Sequence, residues 1–132
     1  MRLWVDVIPE YLQNKSWDIT PEPEQELEVR VCIFSTQDIP IMDIEGTSDV
    51  FFKGFIDPGY VLETDTHYRC MDGRASFNYR LKLPFVNKKG ASRQLNLQCF
   101  DRDLLLSNDM IGERSIDLSK AIEDCLLTKR SQ

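Results

Sequence analysis

Leu27-Glu28-Val29-Arg30-Val31-Cys32-Ile33 places an aliphatic side chain at every odd position and a charged or small one at every even position. A period of two is the strand signature: one face enters a core and the other meets water. The same beat returns in Phe77-Asn78-Tyr79-Arg80-Leu81-Lys82-Leu83 and in Leu95-Asn96-Leu97-Gln98-Cys99. Outward from these runs, Leu3–Ile8, Asp49–Ile56, Thr66–Cys70 and Ile111–Asp117 read as further strands. Asp57-Pro58-Gly59, Asp72-Gly73 and the stretch from Asn87 to Gly90 supply turns between them. Residues 9–25, with Pro9, Pro21 and Pro23 among acidic and amide side chains, read as an irregular connection. Ser119–Leu127 carries the one helical pattern, with Ser119 as its expected N-cap. Short strands punctuated by turns predict an all-β antiparallel sandwich with a short C-terminal helix, rather than a βαβ fold.

A chain of 132 residues suits one domain with a real core, so residues 1–132 are read as a single unit. No apolar run has the length of a membrane-spanning helix, and Met1-Arg2-Leu3-Trp4 is too short and mixed for a secretory leader. The expected setting is cytoplasmic, and peripheral if the chain meets a membrane. A net charge of −6 opposes binding to nucleic acid and non-specific attraction to anionic lipid, but suits a protein that neutralises acids with a metal. Cys32, Cys70, Cys99 and Cys125 form no CxxC pair, and His67 is the single histidine, so no zinc site is expected. These cysteines are read as reduced thiols that fill space as small hydrophobes.

The chemistry-bearing residues are acids in two loops. Met42-Asp43-Ile44-Glu45-Gly46-Thr47-Ser48-Asp49 holds Asp43 and Asp49, the latter opening a strand. Phe100-Asp101-Arg102-Asp103-Leu104-Leu105-Leu106-Ser107-Asn108-Asp109 holds Asp101, Asp103 and Asp109 between two strands. Calcium takes about six to eight oxygen ligands in adaptable geometry, which short carboxylates on loops can supply. Carboxylates crowded without a cation repel one another. Backbone carbonyls of Met42 and Arg102 are further candidate oxygens. Acids also gather in solvated loops without binding anything, so the residues alone leave both readings open. The spacing is not that of an EF-hand loop. Between the acids, Ile44 and the run Leu104-Leu105-Leu106 are apolar at the loop tips. They either turn back into the core or enter a bilayer once the adjacent charge is neutralised.

Several of these stretches resemble C2 domains. Leu27-Glu28-Val29-Arg30-Val31 through Asp38-Ile39-Pro40 resembles the strand that leads into the first calcium loop. Gly46-Thr47-Ser48-Asp49-Val50-Phe51-Phe52-Lys53 resembles the G-x-S-D-P-Y-V-K signature, with Val50 where the pattern has proline. Phe77-Asn78-Tyr79-Arg80 resembles the following F-N strand, and Cys99-Phe100-Asp101-Arg102-Asp103 with Asp109-Met110-Ile111-Gly112-Glu113 resembles the third calcium loop and its exit. Within that family, Arg2-Leu3-Trp4-Val5-Asp6-Val7-Ile8-Pro9 and Thr64-Asp65-Thr66-His67-Tyr68-Arg69 with Asp72-Gly73 are similar to ferlin domains.

The resemblance implies an eight-stranded Greek-key sandwich, excised from a larger protein with several C2 domains. It also implies Ca2+ held by Asp43, Asp49, Asp101, Asp103 and Asp109, and membrane-inserting side chains at Ile44, Leu104, Leu105 and Leu106. Leu106 stands where a serine oxygen often completes a further calcium site, and Leu104 replaces a common basic residue. A basic patch for phosphoinositide headgroups would draw on Lys53, His67, Arg69, Arg80 and Lys82, unless that face is simply solvated. The expected function is a calcium-dependent phospholipid-binding module of a ferlin-like vesicle trafficking or membrane fusion protein. Its partners would be anionic headgroups, neighbouring C2 domains or fusion proteins. The alternative is a calcium-independent scaffold for protein partners. Enzyme chemistry is not expected: there is no Ser/His/Asp set, no Cys–His pair and no glycine-rich phosphate loop.

Overall fold

The computed structural model describes residues 23–41, 46–103 and 107–128. These residues form β1 (Gln25–Ser35), β2 (Ser48–Phe55), β3 (Leu62–Glu63), β4 (His67–Cys70), β5 (Ser76–Asn87), β6 (Gln94–Asp101), β7 (Asp109–Asp117) and α1 (Ser119–Thr128). The described residues thus hold seven strands against the eight expected; the anticipated strand Leu3–Ile8 lies outside them. β1 and β5 pair antiparallel as one sheet, and the second sheet runs β3-β2-β6-β7 with β4 also on β2.

Alternation does the sorting that the sequence forecasts. On β5, Leu81, Leu83 and Phe85 are buried while Arg80, Lys82 and Pro84 are exposed. Leu83 and Phe85 join Ile56, Leu95 and Ile122 in one apolar cluster, against which Leu27, Val29 and Val31 of β1 pack. A second cluster of Val50, Cys70, Ala75 and Cys99 lies against Phe52 and Phe77. Phe52 and Phe77 meet edge to face across the two sheets, with centroids 5.3 Å apart. The sheets approach closely at Gly54, where a Cβ would stand 2.7 Å from Leu81 Cδ1.

β3 and β4 are two halves of one interrupted edge. β3 pairs with Lys53 and Gly54 of β2, and β4 pairs with Ser48 and Val50. Thr64 makes the splice: its N–H donates to Phe52 O at 3.0 Å, and Phe52 N–H donates to Thr64 Oγ1 at 3.0 Å. A side-chain hydroxyl thereby replaces a ladder carbonyl where the chain bends.

Two expectations are corrected. Ser119 is not the cap of α1. Asp117 Oδ1 accepts the Ser119 N–H at 2.8 Å, and Leu118 O receives the first helical hydrogen bond from Ile122 N. Hydrogen bonds from the Ser119 backbone and side chain hold the Asp117 carboxyl below the usual range of an aspartate. Cys32 is exposed on the outer face of β1 rather than filling the core, whereas Cys70 and Cys99 are buried; all four thiols are free. Among the described residues, no helix is long and apolar enough to cross a membrane.

Candidate metal centre

Strand ends gather at one end of the sandwich. Ser48, the first residue of β2, pairs with Cys70, the last of β4. Asp101, the last residue of β6, pairs with Val50 on one side and with Asp109, the first residue of β7, on the other. Ser35 at the end of β1 lies opposite Ser76 at the start of β5. The segments 36–47, 71–75 and 102–108 therefore leave from the same end, which brings Asp49, Asp101, Asp103 and Asp109 to one rim. Asp43 belongs to the first of these segments and lies outside the described residues.

Two of these aspartates are bolted together. Asp49 N–H donates to Asp101 Oδ1 at 2.6 Å, and Arg102 N–H donates to Asp49 O at 2.9 Å. Asp49 Oδ1 accepts the Arg69 N–H at 2.8 Å. That donor is aimed by a register shift between β2 and β4 and by Arg69 itself, whose φ of 55° turns its amide out of the ladder. In the neck of the other loop, Asp103 N–H donates to Asn108 Oδ1 at 3.1 Å. Each of these bonds fixes a carboxylate or the backbone beside it.

Asp101 is the chemical oddity. It is 2 % exposed, and its Oδ2 is buried with no hydrogen-bond partner among the described residues. A buried carboxylate oxygen without a donor is costly and rare. Its half-buried neighbours Asp49 and Asp103 are also acids, and Asp109 faces it across the ladder. A hard cation fits this donor set: oxygen ligands, negative charge and an orphaned acceptor. Burial, then the charge of Asp101, pushes the nearby Cys99 thiol up to about 11, so it is protonated at neutral pH in the metal-free protein. Among the described residues, no three His, Cys, Asp or Glu side chains stand together as a ready ligand set. The structure joins Asp49 to Asp101 directly, and brings Asp103 and Asp109 only to the same rim.

The remaining predicted residues divide. Ile44, Leu104, Leu105 and Leu106 lie outside the described residues, as does Met42. The basic residues do not share a sheet: Lys53, His67 and Arg69 belong to the larger one, while Arg80 and Lys82 sit on β5, opposite Cys32 and Arg30. Nor is Lys53 free. Its Nζ pairs with Glu63 Oε1 at 3.2 Å, and Arg102 Nη2 pairs with the other oxygen at 3.1 Å. Burial raises the Glu63 carboxyl, but the hydrogen bonds and charges of Lys53 and Arg102 outweigh it and hold the group below 4.5. Phe52 and Gly54 face β5, so alternation turns Phe51 and Lys53 outward. Phe51 is nonetheless 0 % exposed, roofed by the Arg102 guanidinium 4.1 Å from its ring centroid and stacked on Phe100 at 5.6 Å.

The sequence pattern does not single out Glu63, Asn108 or the backbone of Arg69. Asn108 directly precedes an expected ligand, which is a usable signal. Glu63 and Arg69 act through partners 39 and 20 residues away, and only the pairing of strands reveals them.

Comparison with known proteins places the chain in a family. The family model for the C2 domain matches residues 27–131. The chain is 30% identical over 152 residues to Myoferlin of Mus musculus, covering 92% of this chain and 7% of that protein. It is 36% identical over 112 residues to Ferlin 2 of Tetrahymena thermophila, covering 78% of this chain and 6% of that protein. Among solved structures, a C2 domain of plant Extended Synaptotagmin 1 is similar with a TM-score of 0.58 and 17% identity, covering 70% of each chain. The calcium-bound pair of C2 domains of Extended-Synaptotagmin 2 gives a TM-score of 0.60 at 18% identity, covering 79% of this chain and 38% of that one.

Proposed function

The chain belongs to the C2 domain family, and we propose that it is a calcium-dependent phospholipid-binding module from a larger ferlin-like protein of vesicle trafficking or membrane fusion. The observation that carries this reading is Asp101, a buried carboxylate with one oxygen pinned by Asp49 N–H and the other without a donor among the described residues. Asp49, Asp101, Asp103 and Asp109 would hold the ion, with Asp43 from outside the described residues. A bound calcium ion supplies positive charge and coordination positions that phosphate oxygens can take.

The protein's own residues do the rest. The Arg69 and Asp49 amides orient the Asp49 and Asp101 carboxylates in advance, which lowers the ordering cost of binding. Asn108 closes the neck of the second loop, and in sequence Leu104-Leu105-Leu106 follows Asp103 directly. Neutralising the rim lets such apolar tips enter the headgroup and acyl boundary; at about 25 cal/mol per Å² of apolar area the gain suits reversible docking. Likeness to Myoferlin and Ferlin 2 supports the ferlin setting, and the chain spans 7% or less of their length, so the whole protein's role is part of the proposal.

The test is thermal unfolding with calcium, magnesium and chelator, followed by sedimentation with phosphatidylserine-containing vesicles. A ligand that binds only the native state adds roughly 2.7 kcal/mol at a hundredfold excess over Kd. An upward shift with calcium but not magnesium, with calcium-dependent sedimentation, is the expected result. No shift and no sedimentation would replace this reading with the calcium-independent scaffold.

A further inference from the structure

We infer that Glu63 is a positioning residue for the metal centre, a role that rests on the calcium reading and deepens it. It holds the Arg102 side chain on the outer face of the larger sheet, and so orients Asp101 and Asp103 on either side of that arginine. Glu63 belongs to neither acidic loop. It ends the short strand β3, which borders β2 on the side away from β6. The Arg102 side chain therefore crosses β2 from the end of β6 to reach it, with Nη2 3.1 Å from Glu63 Oε2.

An exposed ion pair ordinarily contributes little. This one is built into a layer. Phe51 and Phe100 pair across β2 and β6 and stack at 5.6 Å, and the guanidinium lies 4.1 Å from the Phe51 centroid. A planar, weakly hydrated cation suits an aromatic face. Arg102 Nε is buried there with no hydrogen-bond partner among the described residues, so the stack and Glu63 hold the group against that penalty. Glu63 is fixed in turn. Its backbone pairs with Lys53, and its Oε1 meets the Lys53 ammonium at 3.2 Å. That ammonium lies 5.6 Å from the Phe51 centroid and 5.0 Å from that of Phe100.

Alternation carries this hold to the rim. Phe100 faces outward and Asp101 is buried, so an outward Arg102 leaves Asp101 and Asp103 on the same side of the chain, toward the metal centre. The Arg102 N–H donates to Asp49 O at 2.9 Å, tying the same residue to a third candidate ligand. Arg102 is thus held at its backbone and at its guanidinium, and only the second hold depends on Glu63. Released, the guanidinium can turn to the neighbouring carboxylates and compete with a metal ion for their charge.

The test is calorimetric titration of the full chain with calcium, without lipid, on the parent, Glu63→Gln, Arg102→Gln and the double variant, with melting curves in chelator in parallel. Glu63→Gln is expected to weaken calcium binding roughly threefold to tenfold in the parent, and less than about twofold where Arg102 is already glutamine. A merely structural role would lower the melting temperature in chelator and leave Kd unchanged. Equal weakening in both backgrounds would mean that Glu63 acts through its own negative charge, which overturns positioning. Unchanged affinity in Glu63→Gln, beside a parent that binds, also overturns it and leaves the calcium site standing. A parent that takes up no calcium overturns both.

Discussion

The Asp49 N–H meets Asp101 Oδ1 at 2.6 Å, and this bond joins the start of β2 to the end of β6 through a carboxylate rather than through the ladder. Asp101 thus has two roles, one on each oxygen, and substitutions separate them. Asp101→Asn keeps an acceptor for Asp49 and removes a negative charge from the rim. It is expected to leave calcium-free stability equal or higher and to abolish the calcium-induced rise in melting temperature. Asp101→Ala also strips the acceptor and is expected to cost about 1–3 kcal/mol without calcium. Melting curves of both variants, with calcium and with chelator, read the difference; an Asn variant with the parent's calcium shift would remove Asp101 from the site.

Thr64 is buried at 5 % exposure, and its hydroxyl both accepts from Phe52 N–H and donates to Asp65 O at 2.7 Å. Thr64→Val has the same shape and neither bond. Its cost is expected at about 1–3 kcal/mol, the penalty of stranding a buried donor and acceptor. Urea unfolding should show Thr64→Ser losing much less. Equal losses would mean that the methyl group, rather than the hydroxyl, holds the splice.

Much of the sandwich was legible because alternation is a local signal: the runs around Val29, Leu81 and Leu97 became β1, β5 and β6 with their apolar sides inward. Asp49 and Asp101 were legible as loop-edge acids for the same reason. The basic patch was not, because sequence neighbours in a β-protein do not reveal sheet membership, and Arg80 and Lys82 fall on the sheet opposite Lys53. The partners of Lys53 and of Asp49 depended on strand register, which no local pattern encodes. Leu62–Glu63 escaped notice because a strand of 2 residues has no period to read.

Gly73 is the brace of the β4–β5 turn. An alanine there meets two penalties: a left-handed backbone costing about 1–2 kcal/mol, and a Cβ 2.9 Å from the Ile39 backbone, which has no flexible end to yield. Gly73→Ala is expected to lower the unfolding free energy by about 2 kcal/mol or more. Gly46→Ala is the comparison, since its φ is similar but a Cβ there would meet nothing within 4 Å among the described residues. Chemical denaturation of the pair isolates the contact from the backbone strain. Equal losses would show that Ile39 gives way and that the clamp is soft.

Glu63 holds Lys53 and Arg102 together, and its charge sets when that clamp is closed. Its carboxyl lies below 4.5 in the folded chain. A depressed acid stabilises the fold above its unfolded pKa, and that contribution is lost as pH falls through the folded value. The clamp therefore works at neutral pH and opens only in acid, below the usual range of a glutamate carboxyl. Glu63→Gln opens it at any pH. The variant is expected to show a flatter loss of stability on acidification, and a modest one, because the Glu63 side chain is 42% exposed. Freed of their partner, Lys53 and Arg102 should also raise calcium-independent partition onto anionic vesicles in low salt, an effect that salt then screens. Both readouts use the same protein preparation: acid titration followed by circular dichroism, and vesicle sedimentation in chelator. A variant that titrates like the parent would mean that the two cations hold their places by stacking on Phe51 and Phe100 alone, where Lys53 Nζ already sits 5.0 Å from the Phe100 centroid.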